Sequence, residues 1–195
     1  MSRQVFYKDS TVRGWLHDII RCMAADQWKP DYIVGLTRGG LVPAAMLSHY
    51  LEVPMETLKV SLRDSDNGPE SNLWMAEEAF GYRARDIDSA GSEDAGDLVL
   101  GGNGSFDYSI FAKNILIVDD INDTGATLNW IREDWRSGCL PNNPRWENVW
   151  GNNVRFAVLV DNAASDFKDV DYVGLHINKL EEPIWCVFPW EEWWK

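Results

Sequence analysis

Residues 115–128 read ILIVDDINDTGATL, and they carry most of the information about the architecture of the chain. Ile115 to Val118 is an apolar, β-prone run short enough to form a central strand of a parallel sheet. Two adjacent acids, Asp119 and Asp120, follow it directly. Gly125 then precedes a segment in which apolar residues recur at helical spacing. The stretch therefore predicts a buried strand, an acidic turn and a helix that begins directly after the glycine.

Strands and helices alternate along the rest of the chain. Apolar residues from Val12 to Met23 recur at helical spacing, with Ser10 as the predicted N-cap and Pro30 as the predicted end. Patterns of apolar residues predict further strands over 32–36, 55–62, 154–160 and 172–177, and further helices over 42–51, 73–80 and 126–135. We therefore predict an α/β fold with a central, mainly parallel twisted sheet flanked by helices, and ligands beyond the carboxyl ends of its strands.

Composition limits the class of protein. The chain has 195 residues, 45% of them hydrophobic and 25% charged, which is typical of a globular protein and compatible with one domain over 1–195. Its formal net charge of −13 disfavours binding to nucleic acid or to anionic membranes. The same charge repels small anions, so a phosphate site would need backbone N–H groups, a few cationic side chains and a divalent metal.

The cysteines and the N-terminus bear on the compartment. Cys22, Cys139 and Cys186 are an odd number and lie far apart, which favours core thiols in a reducing compartment over a disulfide framework. The N-terminal residues lack a basic region followed by an apolar stretch, and no apolar run is long enough to cross a bilayer. We expect a cytoplasmic protein.

The turn after the strand predicted at 115–118 has the residues of a phosphate site. Thr124, Gly125, Ala126 and Thr127 open a helix, where free N–H groups, two hydroxyls and the positive end of the helix dipole suit a phosphate monoester. We interpret this turn as the pocket for a sugar 5-phosphate. The alternative is an ordinary solvated strand-to-helix turn, in which Asp and Thr are also common.

The three acids of the same stretch have different predicted tasks. Asp119 and Asp120 would repel a phosphate directly in front of them, so they suit sugar hydroxyls or Mg²⁺. Asp123 is placed to take a proton from a ring nitrogen that attacks the sugar carbon. For the acid pair alone a solvated turn is the better interpretation, but the whole fourteen-residue combination favours a binding site.

Val118 to Leu128 resembles the phosphoribosyl-pyrophosphate-binding motif of type I phosphoribosyltransferases. The segment 37–43, TRGGLVP, is similar to the pyrophosphate loop of bacterial xanthine-guanine and hypoxanthine phosphoribosyltransferases. The resemblance implies that Arg38 and the loop backbone at Gly39 hold the pyrophosphate. Without it, Arg38 would be interpreted as a surface charge on a turn.

A third match lies near the C-terminus, where the segment 185–191, WCVFPWE, resembles the hood segment of that family. The resemblance implies that Trp185 stacks on a purine and that main-chain groups of Cys186 or Val187 bond its edge. It also implies that Glu191 helps to hold a metal-bound water. The alternative for Trp185 is a core or subunit-interface tryptophan.

One position departs from the family pattern. Members that act on 6-oxopurines carry a lysine just after the strand that matches 156–160, where it donates to the exocyclic oxygen, but this chain has Asp161. An ionised carboxylate cannot donate a hydrogen bond. Either Asn162 or Lys179 is the donor instead, or the accepted base presents an amino or ring N–H group there.

The resemblance implies an enzyme that transfers ribose 5-phosphate from Mg²⁺-bound phosphoribosyl pyrophosphate to a purine such as hypoxanthine, guanine or xanthine. The products would be a nucleoside monophosphate and pyrophosphate. It further implies a lid-like flexible insertion over 64–114, a hood over 178–195 and assembly as a dimer or tetramer. For the glycine-rich, acidic part from Ser89 to Ser105, the alternative is a disordered insertion without a catalytic role. The alternatives are a regulatory module that binds phosphoribosyl pyrophosphate or nucleotides without turnover, and a transferase for adenine or a pyrimidine.

Overall fold

The computed structural model describes residues 3–60, 72–82 and 111–194. Its elements follow in the order β1 (Arg3–Phe6), α1 (Asp9–Ala25), β2 (Tyr32–Thr37), α2 (Leu41–Leu51), β3 (Met55–Lys59), α3 (Leu73–Phe80), β4 (Ile115–Asn122), α4 (Ala126–Gly138), a 3₁₀ helix (Pro144–Asn148), β5 (Val154–Asn162), β6 (Tyr172–Ile177) and β7 (Ile184–Val187).

Five strands form the central sheet in the order β3-β2-β4-β5-β6, and every neighbouring pair is parallel. This confirms the predicted α/β architecture. The chain leaves β2 toward β3 on one side and leaves β4 toward β5 on the other. The boundary between β2 and β4 is therefore the point where the winding reverses, and ligands of such sheets bind beyond the strand ends at that point.

Each face of the sheet has its own hydrophobic core, because side chains of a strand alternate between the two faces. Ile115 and Ile117 of β4 pack with α3, α4 and a cluster of aromatic residues. Leu116 and Val118 pack with α1 and α2 on the other face. Both faces are covered, which explains why this strand is a continuous apolar run.

Helix α1 buries the predicted apolar positions, including Val12, Leu16 and Met23. The predicted cap is wrong, because Lys8 is the N-cap and Ser10 lies inside the helix. The reason is that Lys8 has extended backbone angles while its carbonyl already accepts from the amide of Val12 at 3.1 Å, so the helix begins two residues earlier than a cap at Ser10 would place it. No helix in the described parts of the chain is long and apolar enough to cross a membrane.

Strand β4 is longer than predicted. It continues through Asp119 and Asp120 to Asn122, so these acids belong to the strand and not to the turn after it. The cause is β5, which supplies partners as far as Asn122↔Asp161. Pairing to a long neighbour outweighs the low β-propensity of Asp.

The segment predicted as a lid, 64–114, is described only at residues 72–82 and 111–114. Helix α3 lies in it, as predicted, and packs into the core with Met75, Ala76 and Phe80 almost fully buried. This helix is therefore a structural layer over the sheet. The remainder of the predicted lid lies outside the described residues.

The hood contains a strand that the sequence did not predict. β1 pairs in parallel with β7, so residues from both ends of the described chain form one small sheet. Tyr7 and Trp190 both pack against the ring of Phe188, with centroid distances of 5.7 Å and 5.1 Å. These aromatic contacts fix the C-terminal segment over the carboxyl ends of the central strands.

Candidate active site

One cavity of about 370 Å³ opens at the carboxyl ends of the central strands. It brings together most of the predicted site residues with several others, and its lining consists of Thr37, Gly39, all residues of 119–128, Lys179, Trp185, Cys186, Phe188 and Glu191. Two predicted residues, Arg38 and Val187, are not in the lining.

The cavity exists because the two neighbours of β4 stop pairing with it at different residues. Pairing of β2 with β4 stops at Gly35↔Val118, whereas pairing of β4 with β5 continues to Asn122. Beyond Val118, the edge of β4 that faces β2 is therefore open. The turn after β2 lies close to that edge, since a Cβ atom at Gly40 would be 2.2 Å from the Val118 carbonyl oxygen.

The turn between β4 and α4 brings the N-terminal amides of a helix to the cavity. Gly125 is the N-cap of α4 with φ +85°, and it has no side chain to occupy the first amides of the helix. Thr124 Oγ1 accepts only a long bond, 3.4 Å, from the Ala126 amide. Since the first N–H groups of a helix have no acceptor within it, this turn is suited to an anion.

A buried polar network supports this turn from below. Asn122 donates its side-chain amide to Asp161 Oδ1 at 2.8 Å and to the Phe167 carbonyl at 2.9 Å, and accepts from Ser165 Oγ at 2.8 Å. His176 Nδ1 lies 3.2 Å from the other oxygen of Asp161. The carboxylate of Asp161 is thus bonded within this network, and Asp161 does not line the cavity. No sequence motif predicts this network, because its members come from three separate segments.

The acids at the open edge of β4 titrate abnormally. Burial, followed by the charge of Asp120, raises the pKa of Asp119 well above its ordinary value. Burial, followed by the charge of Glu191, raises the pKa of Asp120 to about 6. Several carboxylates therefore lie in one small volume and repel one another when they are ionised, and such a site favours a cation.

The donor set fits magnesium only in part. Asp119, Asp120 and Glu191 supply the hard oxygen atoms that Mg²⁺ prefers. Among the described residues, no three His, Cys, Asp or Glu side chains converge closely enough to hold a metal by themselves. Mg²⁺ is commonly held by one or two carboxylates together with substrate phosphates, and this arrangement fits that pattern.

Asp123 forms an ion pair with another residue that lines the cavity. Lys179 Nζ lies 2.9 Å from Asp123 Oδ1, and the Lys179 side chain is only 18% exposed. Asn162 donates its side-chain amide to the Asp123 main-chain carbonyl at 2.9 Å and accepts from the Lys179 backbone amide at 3.0 Å. One buried amide side chain therefore fixes both members of the pair.

Trp185 forms the aromatic wall of the cavity. It lies on β7 with 51% of its surface exposed, so its ring is accessible to a ligand in the cavity. Its neighbour Cys186 lines the same cavity. Burial raises the pKa of the Cys186 thiol, so it remains a neutral thiol at neutral pH.

A family model for the phosphoribosyl transferase domain matches residues 8–194. The chain belongs to this family. It is 25% identical over 183 residues to a hypoxanthine-guanine phosphoribosyltransferase of Schizosaccharomyces pombe, covering 85% of this chain and 79% of the relative. It is 30% identical over 135 residues to xanthine phosphoribosyltransferase 1 of Saccharomyces cerevisiae, covering 66% of this chain and 58% of that relative, so the match spans less than two thirds of the second relative.

The fold of this phosphoribosyl transferase is also found in solved structures. The crystal structure of a purine phosphoribosyltransferase from Pyrococcus horikoshii superposes with a TM-score of 0.57 and 22% identity, covering 97% of this chain and 95% of that one. A likeness at this identity shows that the two proteins share the fold.

Two predicted site residues of the transferase lie beside the cavity. Arg38 follows a cis peptide bond and is exposed, and it makes no ion pair with any of the described residues. Its neighbour Gly39 lines the cavity directly. Val187 is buried and its carbonyl accepts from the Tyr7 amide at 2.9 Å, so pairing with the N-terminal segment removes this acceptor from a ligand.

Proposed function

We propose that this phosphoribosyl transferase transfers ribose 5-phosphate from phosphoribosyl pyrophosphate to a purine base and releases pyrophosphate and a nucleoside monophosphate. One observation carries the proposal: the amide-bearing turn 124–127, the acids Asp119 and Asp120, Asp123 and Trp185 all line a single cavity. The names of the two yeast relatives support a purine as the acceptor.

The two ends of the donor fit two different loops. The turn 124–127 presents helix amides to the 5-phosphate, and Asp119 with Asp120 accept from the ribose hydroxyls or hold the metal. The loop after β2 receives the pyrophosphate, since Gly39 lines the cavity and Arg38 is exposed beside it with no competing ion pair among the described residues. An arginine with free N–H groups is well suited to phosphate oxygens.

The acceptor base lies between Trp185 and Asp123 in this arrangement. A ring nitrogen attacks the anomeric carbon, the bond from that carbon to the pyrophosphate oxygen breaks, and its electron pair leaves with the pyrophosphate. Asp123 Oδ takes the proton that the ring nitrogen loses. The protein contributes mainly by positioning the two substrates.

Magnesium, when bound, neutralises charge on the departing pyrophosphate. Asp119, Asp120 and Glu191 are the residues that would hold it or its water. The raised pKa values of the two aspartates follow from crowding of negative charge, and a divalent cation relieves such crowding.

The test is an assay of pyrophosphate release. The full chain is incubated with phosphoribosyl pyrophosphate and Mg²⁺, and with hypoxanthine, guanine, xanthine, adenine, orotate or uracil in separate reactions. We expect release that depends on a purine, with the nucleoside monophosphate detected by chromatography. Calorimetry with the donor alone measures binding independently of turnover.

Two results would contradict the proposal. Donor binding without release on any base would indicate a binding module. Release of pyrophosphate that depends on orotate or uracil and not on purines would show that the acceptor is a pyrimidine. The proposed donor site would then still stand.

A further inference from the structure

The loop between β5 and β6, residues 163–171, contacts the turn proposed to hold the 5-phosphate. The Asp166 amide donates to the Thr124 carbonyl at 3.0 Å. The backbone nitrogen of Phe167 lies against Gly125, since an added Cβ at that glycine would be only 2.4 Å from it. The position of the turn therefore depends on the position of this β5–β6 loop.

Arg132 of α4 holds the same loop from the side. Its guanidinium carbon lies 4.5 Å from the centroid of the Phe167 ring, and its Nη1 donates to Asp169 Oδ2 at 2.6 Å. The rings of Trp150 and Phe156 complete an aromatic enclosure, with centroids 5.4 Å and 5.5 Å from the same carbon. One side chain therefore attaches two residues of the loop to the helix whose first turn supplies the phosphate-binding amides.

Folding stability alone gives a weak reason for an arginine at this position. The Arg132 side chain is only 24% exposed, and its Nε is buried with no hydrogen-bond partner among the described residues. An unsatisfied buried N–H group costs free energy. The ion pair offsets little of this cost, because 67% of the Asp169 side chain is exposed. Since an apolar side chain often replaces a buried charge without loss of stability, the arginine is better explained by what it holds in place.

The two ends of phosphoribosyl pyrophosphate would lie on different sides of β4. The β5–β6 loop follows the strand on one side, whereas the loop after β2 approaches β4 from the other. In that second loop, Gly40 lies against Val118 and Gly39 lies against Asp120. A change at Arg132 should therefore affect the 5-phosphate end of the site and leave the pyrophosphate end in place.

We propose that Arg132 is a positioning residue that fixes the β5–β6 loop to α4 and so keeps the amides of 124–127 facing the 5-phosphate. This inference rests on the proposed function. It goes beyond that function by assigning a role in substrate binding to a residue that does not line the cavity. Arg132 acts through the Phe167 ring and the Asp169 carboxylate and does not touch the substrate.

The test compares Arg132→Met with the wild type by calorimetric titration with phosphoribosyl pyrophosphate and with pyrophosphate, both in the presence of Mg²⁺. Methionine keeps an apolar stem inside the aromatic enclosure and removes the charge and the planar group. We expect affinity for phosphoribosyl pyrophosphate to fall about 10- to 100-fold, the range for loss of a group that orients ligand-binding residues. Affinity for pyrophosphate, which has no 5-phosphate, should stay the same.

Kinetics and thermal unfolding separate a positioning role from a merely structural one. In Arg132→Met the KM for phosphoribosyl pyrophosphate should rise, while kcat at saturating substrate stays close to the wild-type value, because Asp123 and the base pocket are unchanged. The unfolding temperature should not fall, because the unpaired N–H group is removed together with the buried charge.

Two further variants complete the design. Arg132→Lys retains the charge that pairs with Asp169 and lacks the planar group that stacks on Phe167, so its affinity for phosphoribosyl pyrophosphate should be intermediate. Arg136→Met, at an exposed position on the same helix, should match the wild type with both ligands. If Arg132→Met does not fold, the comparison of the two ligands is made with Arg132→Lys.

The outcomes separate the two proposals. An Arg132→Met protein that binds phosphoribosyl pyrophosphate as tightly as the wild type would overturn the role of Arg132 and leave the transferase function intact. Equal losses of affinity for phosphoribosyl pyrophosphate and for pyrophosphate would overturn it as well, because the substitution would then disturb the whole cavity. Failure of the wild type to bind phosphoribosyl pyrophosphate or pyrophosphate would instead overturn the proposed function.

Discussion

A Cβ atom placed on Gly39 would lie 2.0 Å from Asp120 Oδ2, so the turn after β2 and the acid of β4 are in direct contact. Gly39 follows β2 and Asp120 lies in β4, and these two strands lie on either side of the point where the winding of the sheet reverses. This contact joins the proposed pyrophosphate loop to the proposed metal and ribose acids. Any side chain at position 39 must displace the Asp120 carboxylate.

We therefore predict that Gly39→Ala weakens binding of phosphoribosyl pyrophosphate and Mg²⁺ at least tenfold, which corresponds to about 1.4 kcal/mol. The carboxylate can move into the cavity, so the loss of folding stability should be small. Calorimetric titration measures the affinity and thermal unfolding measures the stability. Gly14→Ala is the matched control, because an added Cβ there meets nothing within 4 Å. Equal donor affinity in both variants would contradict the proposed contact.

For Asp123→Asn we predict donor binding like that of the wild type and a kcat lower by roughly two to four orders of magnitude, the usual range for a general base. The amide retains the shape of the side chain and cannot take the proton. Asp18→Asn, on the exposed surface of α1, is the control and should leave kcat unchanged. Unchanged turnover by Asp123→Asn would remove this residue from the proton transfer.

The raised pKa of Asp120 predicts a dependence of folding stability on pH. In the ligand-free fold the carboxyl group ionises at about 6, whereas its ordinary value is 3.8. The neutral carboxyl is therefore favoured by folding below pH 3.8, and this contribution is lost as the pH rises through about 6. Asp120→Asn, which stays neutral, should be more stable than the wild type at pH 8 by about 1 to 3 kcal/mol.

Urea unfolding without Mg²⁺ or donor, from pH 4 to pH 8, measures this difference. The two curves should converge toward pH 4 and separate as Asp120 ionises. Addition of Mg²⁺ with the donor should stabilise the wild type more than the variant at pH 8. A constant difference between the two proteins at all pH values would show that Asp120 ionises normally.

Local sequence patterns predicted the central part of this fold and not its connections. The strand, acids, glycine and helix of 115–128 are contiguous, so the order of these elements follows from neighbouring residues. The end of β4 was misplaced because pairing with β5 extends it through Asp119 and Asp120. β1 was missed because its four residues, Arg3–Phe6, are mostly exposed and have no alternation to detect.

The parts of the site that depend on distant residues were harder to predict. Lys179 was one of several alternatives for the base donor, and only the bonds of Asn162 show why it reaches Asp123. Ser165 and Asn122 support the phosphate turn through bonds between residues far apart in the sequence. A single Ser, Asn or Lys has no periodicity or motif, so its burial becomes evident only when the register of the sheet is known.

The backbone angle and the surroundings of Gly125 both require glycine. Its φ is +85°, and an added Cβ would lie 2.4 Å from the backbone nitrogen of Phe167. Gly151 is the matched control, because it has a similar φ of +73° but an added Cβ would meet only Asp171 Oδ1 at 3.7 Å. Gly151→Ala should therefore cost only the positive-φ strain, about 1 kcal/mol, and retain donor affinity.

Gly125→Ala carries the same strain and must also push the turn away from Phe167, because a backbone atom cannot rotate aside as a side chain can. We expect its free energy of unfolding to fall about 2 kcal/mol or more below that of Gly151→Ala, with donor binding lost. Urea unfolding and calorimetric titration of both variants measure the two effects. If Gly125→Ala bound phosphoribosyl pyrophosphate as tightly as Gly151→Ala, the amides of 124–127 would not be the 5-phosphate site, since their positions depend on this contact.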